Sequence, residues 1–195
     1  GSFLLGLLYE SGDGIERDMK KSFKYYEKSY KQGNSCGFVR IGFCYKEGKG
    51  VKQDYIKAIE YYEKAAEFGD SFALNNLGLL YEEGKGVKQN YSKAIEYYEK
   101  AADLGNSSAL NNLGLFYEEG KGVKQNYSKA IECFEKAVQL GNSSALYNLA
   151  DLYENGEGVE KDYNKAIEYF EKAAKLGDED AEERIVSIKK IMKKK

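Results

Sequence analysis

Residues 73–108 read ALNNLGLLYEEGKGVKQNYSKAIEYYEKAADLGNSS, and residues 109–144 repeat them with five changes in 36 positions. The turn Gly84-x-Gly86-Val87 recurs at Gly48–Val51, Gly120–Val123 and Gly156–Val159, with the variant Gly12-Asp13-Gly14-Ile15 upstream. The spacing never slips. A fixed period of this length is the mark of a solenoid, in which each unit packs only on its neighbours.

Within residues 73–108, apolar side chains stand at Ala73, Leu74, Leu77, Leu80 and Tyr81, which is helical spacing. Gly84 is placed for a left-handed helix cap, Gly86 allows a second unusual backbone angle, and Val87 is expected to tuck back into the seam. Asn90 reads as the N-cap of a second helix, a place held by Asp54 and Asp162 in other units. That helix turns Ala94, Ile95, Tyr98, Ala101 and Ala102 inward, and Gly105 closes it. Gly78 sits mid-helix, as do Gly6, Gly42 and Gly114, with Ala150 in the last unit. A mid-helix glycine costs about 1 kcal/mol against alanine, so its recurrence predicts close helix approach, with the small alanines as the opposing wall. The expectation is an all-α, α/α solenoid of about five helix-turn-helix repeats in a single domain. The repeats run at about 1–36, 37–72, 73–108, 109–144 and 145–180, and a capping helix with a Lys-rich tail occupies 181–195.

Composition agrees. The 195 residues include no proline, which suits an almost wholly helical chain. Thirty basic side chains face 32 acidic ones, a net charge of −2, which argues against a general nucleic-acid binder. Lys189, Lys190, Lys193, Lys194 and Lys195 gather positive charge at the end, and read as the solvated end of the capping helix. No apolar run reaches membrane-spanning length. Cys36 and Cys44, if on one helix, stand roughly 12 Å apart at 1.5 Å per residue, too far to bridge. Cys133 takes the position of Tyr61, Tyr97 and Tyr169 and reads as a packing substitution. Reduced thiols and a cytoplasmic protein are the expectation.

There is no histidine, which removes Ser-His and Cys-His nucleophile pairs and the commonest metal ligand. Neither a catalytic site nor a cofactor or metal is expected. The Glu83-Gly84-Lys85-Gly86-Val87 turn lacks the Gly-Lys-Ser/Thr ending of a phosphate loop and reads as a helix-linking turn. Glu82-Glu83, Glu118-Glu119 and Glu154 read as a solvated face, because neighbouring helical residues point about 100° apart. Tyr9, Tyr45, Tyr81, Tyr117 and Tyr153 repeat in register and read as packing, each with a hydroxyl at the edge.

The pattern Ala73…Leu77-Gly78…Tyr81…Gly84-x-Gly86-Val87…Ala94…Tyr98…Lys100-Ala101-Ala102…Gly105 resembles the Sel1-like repeat, a relative of the tetratricopeptide repeat, over residues 3 to about 180. The resemblance implies a right-handed α/α superhelix that serves as an adaptor in protein complexes. Cysteine-rich bacterial relatives have been proposed to hydrolyse penicillin-type compounds, but they carry a cysteine pair in each unit and this chain does not.

In the related fold the first helix of each unit lines the concave face. Carried over, this predicts an apolar ladder of Leu7, Phe43, Leu79 and Leu115, an amide and aromatic one of Asn75, Asn111 and Tyr147, and an acidic one of Glu82, Glu118 and Glu154, with Asp151 beside it. Such a face suits an extended or helical peptide carrying basic residues. The expected function is a non-catalytic scaffold or adaptor for a protein or peptide partner, with neither nucleic acid nor membrane as ligand. Leu4, Leu5 and Leu8 have no capping neighbour in the sequence, which predicts further repeats upstream or self-association through this end as a spacer.

Overall fold

The computed structural model describes residues 1–34 and 36–193, which form two compact units that divide between Leu104 and Gly105. Lys194 and Lys195 of the basic tail lie outside the described residues. Among the described residues every regular element is an α-helix.

The first unit holds α1 (Ser2–Ser11), α2 (Met19–Lys31), α3 (Cys36–Glu47), α4 (Tyr55–Glu67), α5 (Ser71–Glu83) and α6 (Tyr91–Asp103). Each helix packs on the next, so three hairpins stack in chain order. Phe23, Tyr26, Ile41 and Cys44 form one core cluster, and Ala58, Tyr62, Leu77 and Leu80 belong to a second. The second unit holds α7 (Ser107–Glu119), α8 (Tyr127–Gln139), α9 (Ser143–Asn155), α10 (Tyr163–Lys175) and α11 (Glu179–Met192), again packed in chain order. Here Leu146, Ala150, Phe170 and Ala173 meet Ala181 and Ile188 of α11. That helix packs Ala181, Ile185 and Ile188, spaced by four and three residues, as one stripe in the core it shares with α10, although Met192 at its end stays exposed.

Caps explain where the helices stop. Asp54, Asn90, Asn126 and Asp162 each accept a backbone N–H from the first turn of a second helix. At the other turn Gly84 closes α5 at φ 69°, and its N–H reaches the Leu80 carbonyl. Gly86 follows at φ 76°, where a Cβ would lie 2.7 Å from the Cβ of Tyr55. The second glycine is therefore demanded by both angle and crowding.

The mid-helix glycines are explained differently from the sequence expectation. The wall opposite Gly78 is the aromatic ring of Tyr98, not alanine. A Cβ on Gly78 would stand 2.5 Å from that ring. Gly42 faces Tyr62 in the same way, and Gly114 faces Phe134. These rings are fully buried and are the largest side chains of the core, so each needs a helix without a side chain to lie upon.

On the opposite edge of each hairpin, tyrosines stack in pairs sixteen residues apart. Tyr45 lies on Tyr61 with ring centres 5.7 Å apart, and Tyr81 on Tyr97 at 5.5 Å. In the second unit Tyr153 lies on Tyr169 at 5.8 Å. A lysine covers the outer ring, as Lys93 covers Tyr81 at 5.0 Å. Cys133 interrupts this series opposite Tyr117, and its side chain is half-buried.

Candidate partner-binding face

Each unit presents its own face of first helices, α1, α3 and α5 in one, and α7 and α9 with the capping helix α11 in the other. A second set of contacts, also at a spacing of sixteen, decides its chemistry. The buried Tyr98 ring reaches past Gly78, and its hydroxyl donates to the Glu82 carboxylate at 2.7 Å. Tyr26 makes the same bond to Glu10. Burial and the neighbouring carboxylate push both phenols above their ordinary range. Glu82 is therefore half-buried and engaged rather than solvated, a correction to the solvated-face reading. Its neighbour Glu83 does sit in solvent, paired at 2.8 Å with Lys85 of the turn.

The remaining hairpins break this pair, each in its own way. Lys46 stands where Glu10 and Glu82 stand, so the Tyr62 hydroxyl lacks that carboxylate and has no hydrogen-bond partner. Lys46 instead donates to Asn76 Oδ1 at 3.2 Å and lies 3.4 Å from Glu47. In the second unit Phe134 replaces the tyrosine, and Glu118 keeps its place without a hydroxyl. Glu118 is half-buried, and its pKa rises from 4.5 to about 7, first through burial and then through the charges of Asp151, Glu157 and Glu119. Phe170 likewise replaces the tyrosine opposite Glu154, but here Arg184 of α11 supplies the partner. Its Nη2 lies 2.7 Å from both Asp151 Oδ1 and Glu154 Oε2. The guanidinium also stacks over Phe170 at 5.8 Å.

The sequence-predicted residues fall on this face as follows. Phe43 is half-buried with the Lys49 ammonium 4.5 Å above its ring. Leu79 and Leu115 are half-buried, each in its own unit. Asn75 and Asn111 are almost covered, at 9% and 8% exposed, and Asn111 accepts from Asn148 at 2.9 Å. These amides bind within the chain, and less of them is open than their outward register suggests. Tyr147 stands edge-on to Phe170 at 5.1 Å. Asp151 and Glu154 are joined through Arg184, and Asp151 also bears on Glu118. Sequence reasoning missed Tyr62 and Arg184. The signal was present as a Tyr-to-Phe and a Glu-to-Lys change at two positions sixteen apart in otherwise copied units.

Among the described residues no group of histidine, cysteine or acidic side chains is arranged to hold a metal, and no helix is long and apolar enough to cross a membrane. Cys36, Cys44 and Cys133 are free thiols. Burial pushes the Cys44 thiol up to about 12, which makes it a packing group rather than a nucleophile.

Stacked helical hairpins with glycine-closed turns and neighbour-only packing define a solenoid repeat protein of the tetratricopeptide-like kind. The Sel1 repeat matches residues 1–34, 39–70, 71–106, 107–142 and 143–178, so the chain belongs to the Sel1 repeat family. Members of that family generally serve as protein-interaction scaffolds. A Sel1 repeat protein from Oxalobacter formigenes is similar in structure, with a TM-score of 0.90 and 34% identity over 96% of this chain and 76% of its own. A protective antigen of uropathogenic Escherichia coli with the same repeat fold superposes with a TM-score of 0.84 at 33% identity, and this chain covers 40% of its length. Cysteine-rich protein B of Helicobacter pylori is 37% identical over 67% of this chain and 94% of its own, with a TM-score of 0.53. No curated protein sequence matches the chain.

Proposed function

We propose that the chain is a non-catalytic scaffold that captures a protein or peptide partner on the face of its first helices, the concave face of the family. One observation carries the reading. Arg184 shows, within the chain itself, how the acidic column of this face takes a guanidinium between two carboxylates. Glu118, one hairpin earlier, has the same half-buried carboxylate with Asn148 in the register of Arg184, so a basic side chain of a partner would complete it. Leu115, on the same helix as Glu118, offers an apolar contact in the second unit, and Phe43 and Leu79 hold the equivalent places in the first. The test is capture of a partner by the parent and by a Leu79→Lys, Leu115→Lys variant shown by circular dichroism to be folded. Loss of the partner in the variant is expected, and capture that survives both substitutions overturns the reading.

A second reading, self-association, is favoured by the exposure of Leu4, Leu5 and Leu8 at 62%, 40% and 38%. Light scattering that shows a constant monomer mass up to high concentration would rule it out.

A further inference from the structure

A cleft of about 320 Å³ opens on the first-helix face of the first unit, walled by Phe3, Val39, Phe43 and Phe72. Phe72 is 68% exposed, far more than an aromatic group at the edge of a core needs to be. Tyr62 lines the same cleft and is itself 0% exposed, yet its hydroxyl is unpartnered. The other polar lining groups are Arg40, Asn76 and Asp70. Asp70 is committed to capping α5, accepting from the Ala73 N–H at 2.9 Å. The Asn76 carboxamide oxygen is taken by Lys46 and its amide by the Phe72 carbonyl. Arg40 holds only a loose pair with Glu10 at 3.6 Å.

The unpartnered polar group of the cleft is thus a donor, the Tyr62 hydroxyl, and the one carboxylate in the lining, Asp70, is held by the cap of α5. The hydroxyl would have had a glutamate, as Tyr26 and Tyr98 do, but position 46 carries the only lysine of a column that reads Glu10, Lys46, Glu82, Glu118 and Glu154. A buried donor left unmade is a standing penalty that an incoming acceptor relieves. Arg40 in the lining, with Lys46 behind Asn76, selects the sign of that acceptor. We infer that this cleft seats an acidic-apolar segment of a partner, an aromatic or aliphatic side chain between the phenylalanines followed by an aspartate or glutamate that meets Arg40, Lys46 and the Tyr62 hydroxyl. The inference rests on the scaffold reading and names the chemistry of one of its sites, opposite in sign to the acidic column of the second unit.

The experiment uses the chain, labelled with nitrogen-15, and two blocked tetrapeptides, acetyl-Ser-Phe-Asp-Ser-amide and its Asp-to-Lys counterpart, followed by chemical-shift titration. The acidic peptide is expected to move the amides of Arg40, Phe43 and Asn76 and to bind about tenfold tighter than the basic one. Lys46→Glu installs the residue that the four other hairpins carry at this position, so it preserves the fold while giving Tyr62 an acceptor of its own. It is expected to abolish the preference, and Arg40→Gln to weaken it. Equal binding of the two peptides, shifts centred elsewhere, no binding by either, or an acid preference that survives Lys46→Glu each overturns the inference. Capture that depends on Leu79 and Leu115 would stand through any of these results, so the two readings fail separately.

Discussion

At the scale of single residues, the same tyrosine does opposite things in copied hairpins. Tyr98 has its carboxylate, and Tyr62 does not. Tyr98→Phe should therefore lower unfolding stability by about 1–3 kcal/mol, because it removes the hydroxyl bond to the half-buried Glu82. Tyr62→Phe removes a group that is already unpaired and should be neutral or stabilising. Urea denaturation of both variants checks the contrast, and equal losses would contradict it. Glu118 gives a pH prediction. Its carboxyl is raised from 4.5 to about 7 in the fold, so between those values the folded state holds a proton that the unfolded chain releases. Stability from this group is thus present at low pH and lost as pH rises through that window. Glu118→Gln should match the parent near pH 4 and exceed it at pH 8, on the order of 1 kcal/mol once solvent screening is allowed for. A difference that is flat with pH would count against the shifted carboxyl.

At the scale of elements, the hairpin is set by two aromatic columns, one on each edge. The stacked outer pair is broken only where Cys133 stands opposite Tyr117. Cys133→Tyr should restore the stack and raise the stability of the second unit by about 0.5–1.5 kcal/mol. A fall in melting temperature would show that the site has already closed around the smaller side chain. Most of the hairpin was legible beforehand, because periodicity, caps and glycine turns are local properties. Asn90 as N-cap and Gly84 as C-cap could be placed from neighbours in the chain. The aromatic wall against Gly78 could not, because small residues on both helices suggested alanine contact, and only the packing shows that the Tyr98 ring fills the gap. The candidate face was legible in register but not in engagement. Asn75 and Asn111 read as outward, yet the neighbouring hairpin covers Asn111 through Asn148. Glu82 read as solvated because its hydroxyl partner comes from a different helix.

At the scale of the molecule, stability is a sum over hairpins and the interfaces between neighbours. In the second unit the outer surface of α10 is buried by α11 through Ala181 and Ile188, while Arg184 neutralises Asp151 and Glu154. Deleting residues 179–195 should expose Phe170 and strand both carboxylates. A lost aromatic burial alone is about 1.5–3 kcal/mol, which corresponds to a fall of about 10 °C in a unit of this size. Calorimetry of the truncated chain would measure it, and an unchanged transition would mean that α11 contributes no net stability.

Each hairpin closes on itself, with Asn or Asp opening its second helix and Gly-x-Gly ending its first, so a cut anywhere and a rejoin 36 residues on leaves every cap with the same kind of partner. Residues 73–108 and 109–144 are close to interchangeable cassettes. The DNA that encodes them is correspondingly prone to unequal recombination, and the products would fold. Alleles of this locus should then differ in length by whole multiples of 36 residues, each one lengthening or shortening the stack by whole hairpins without disturbing the rest.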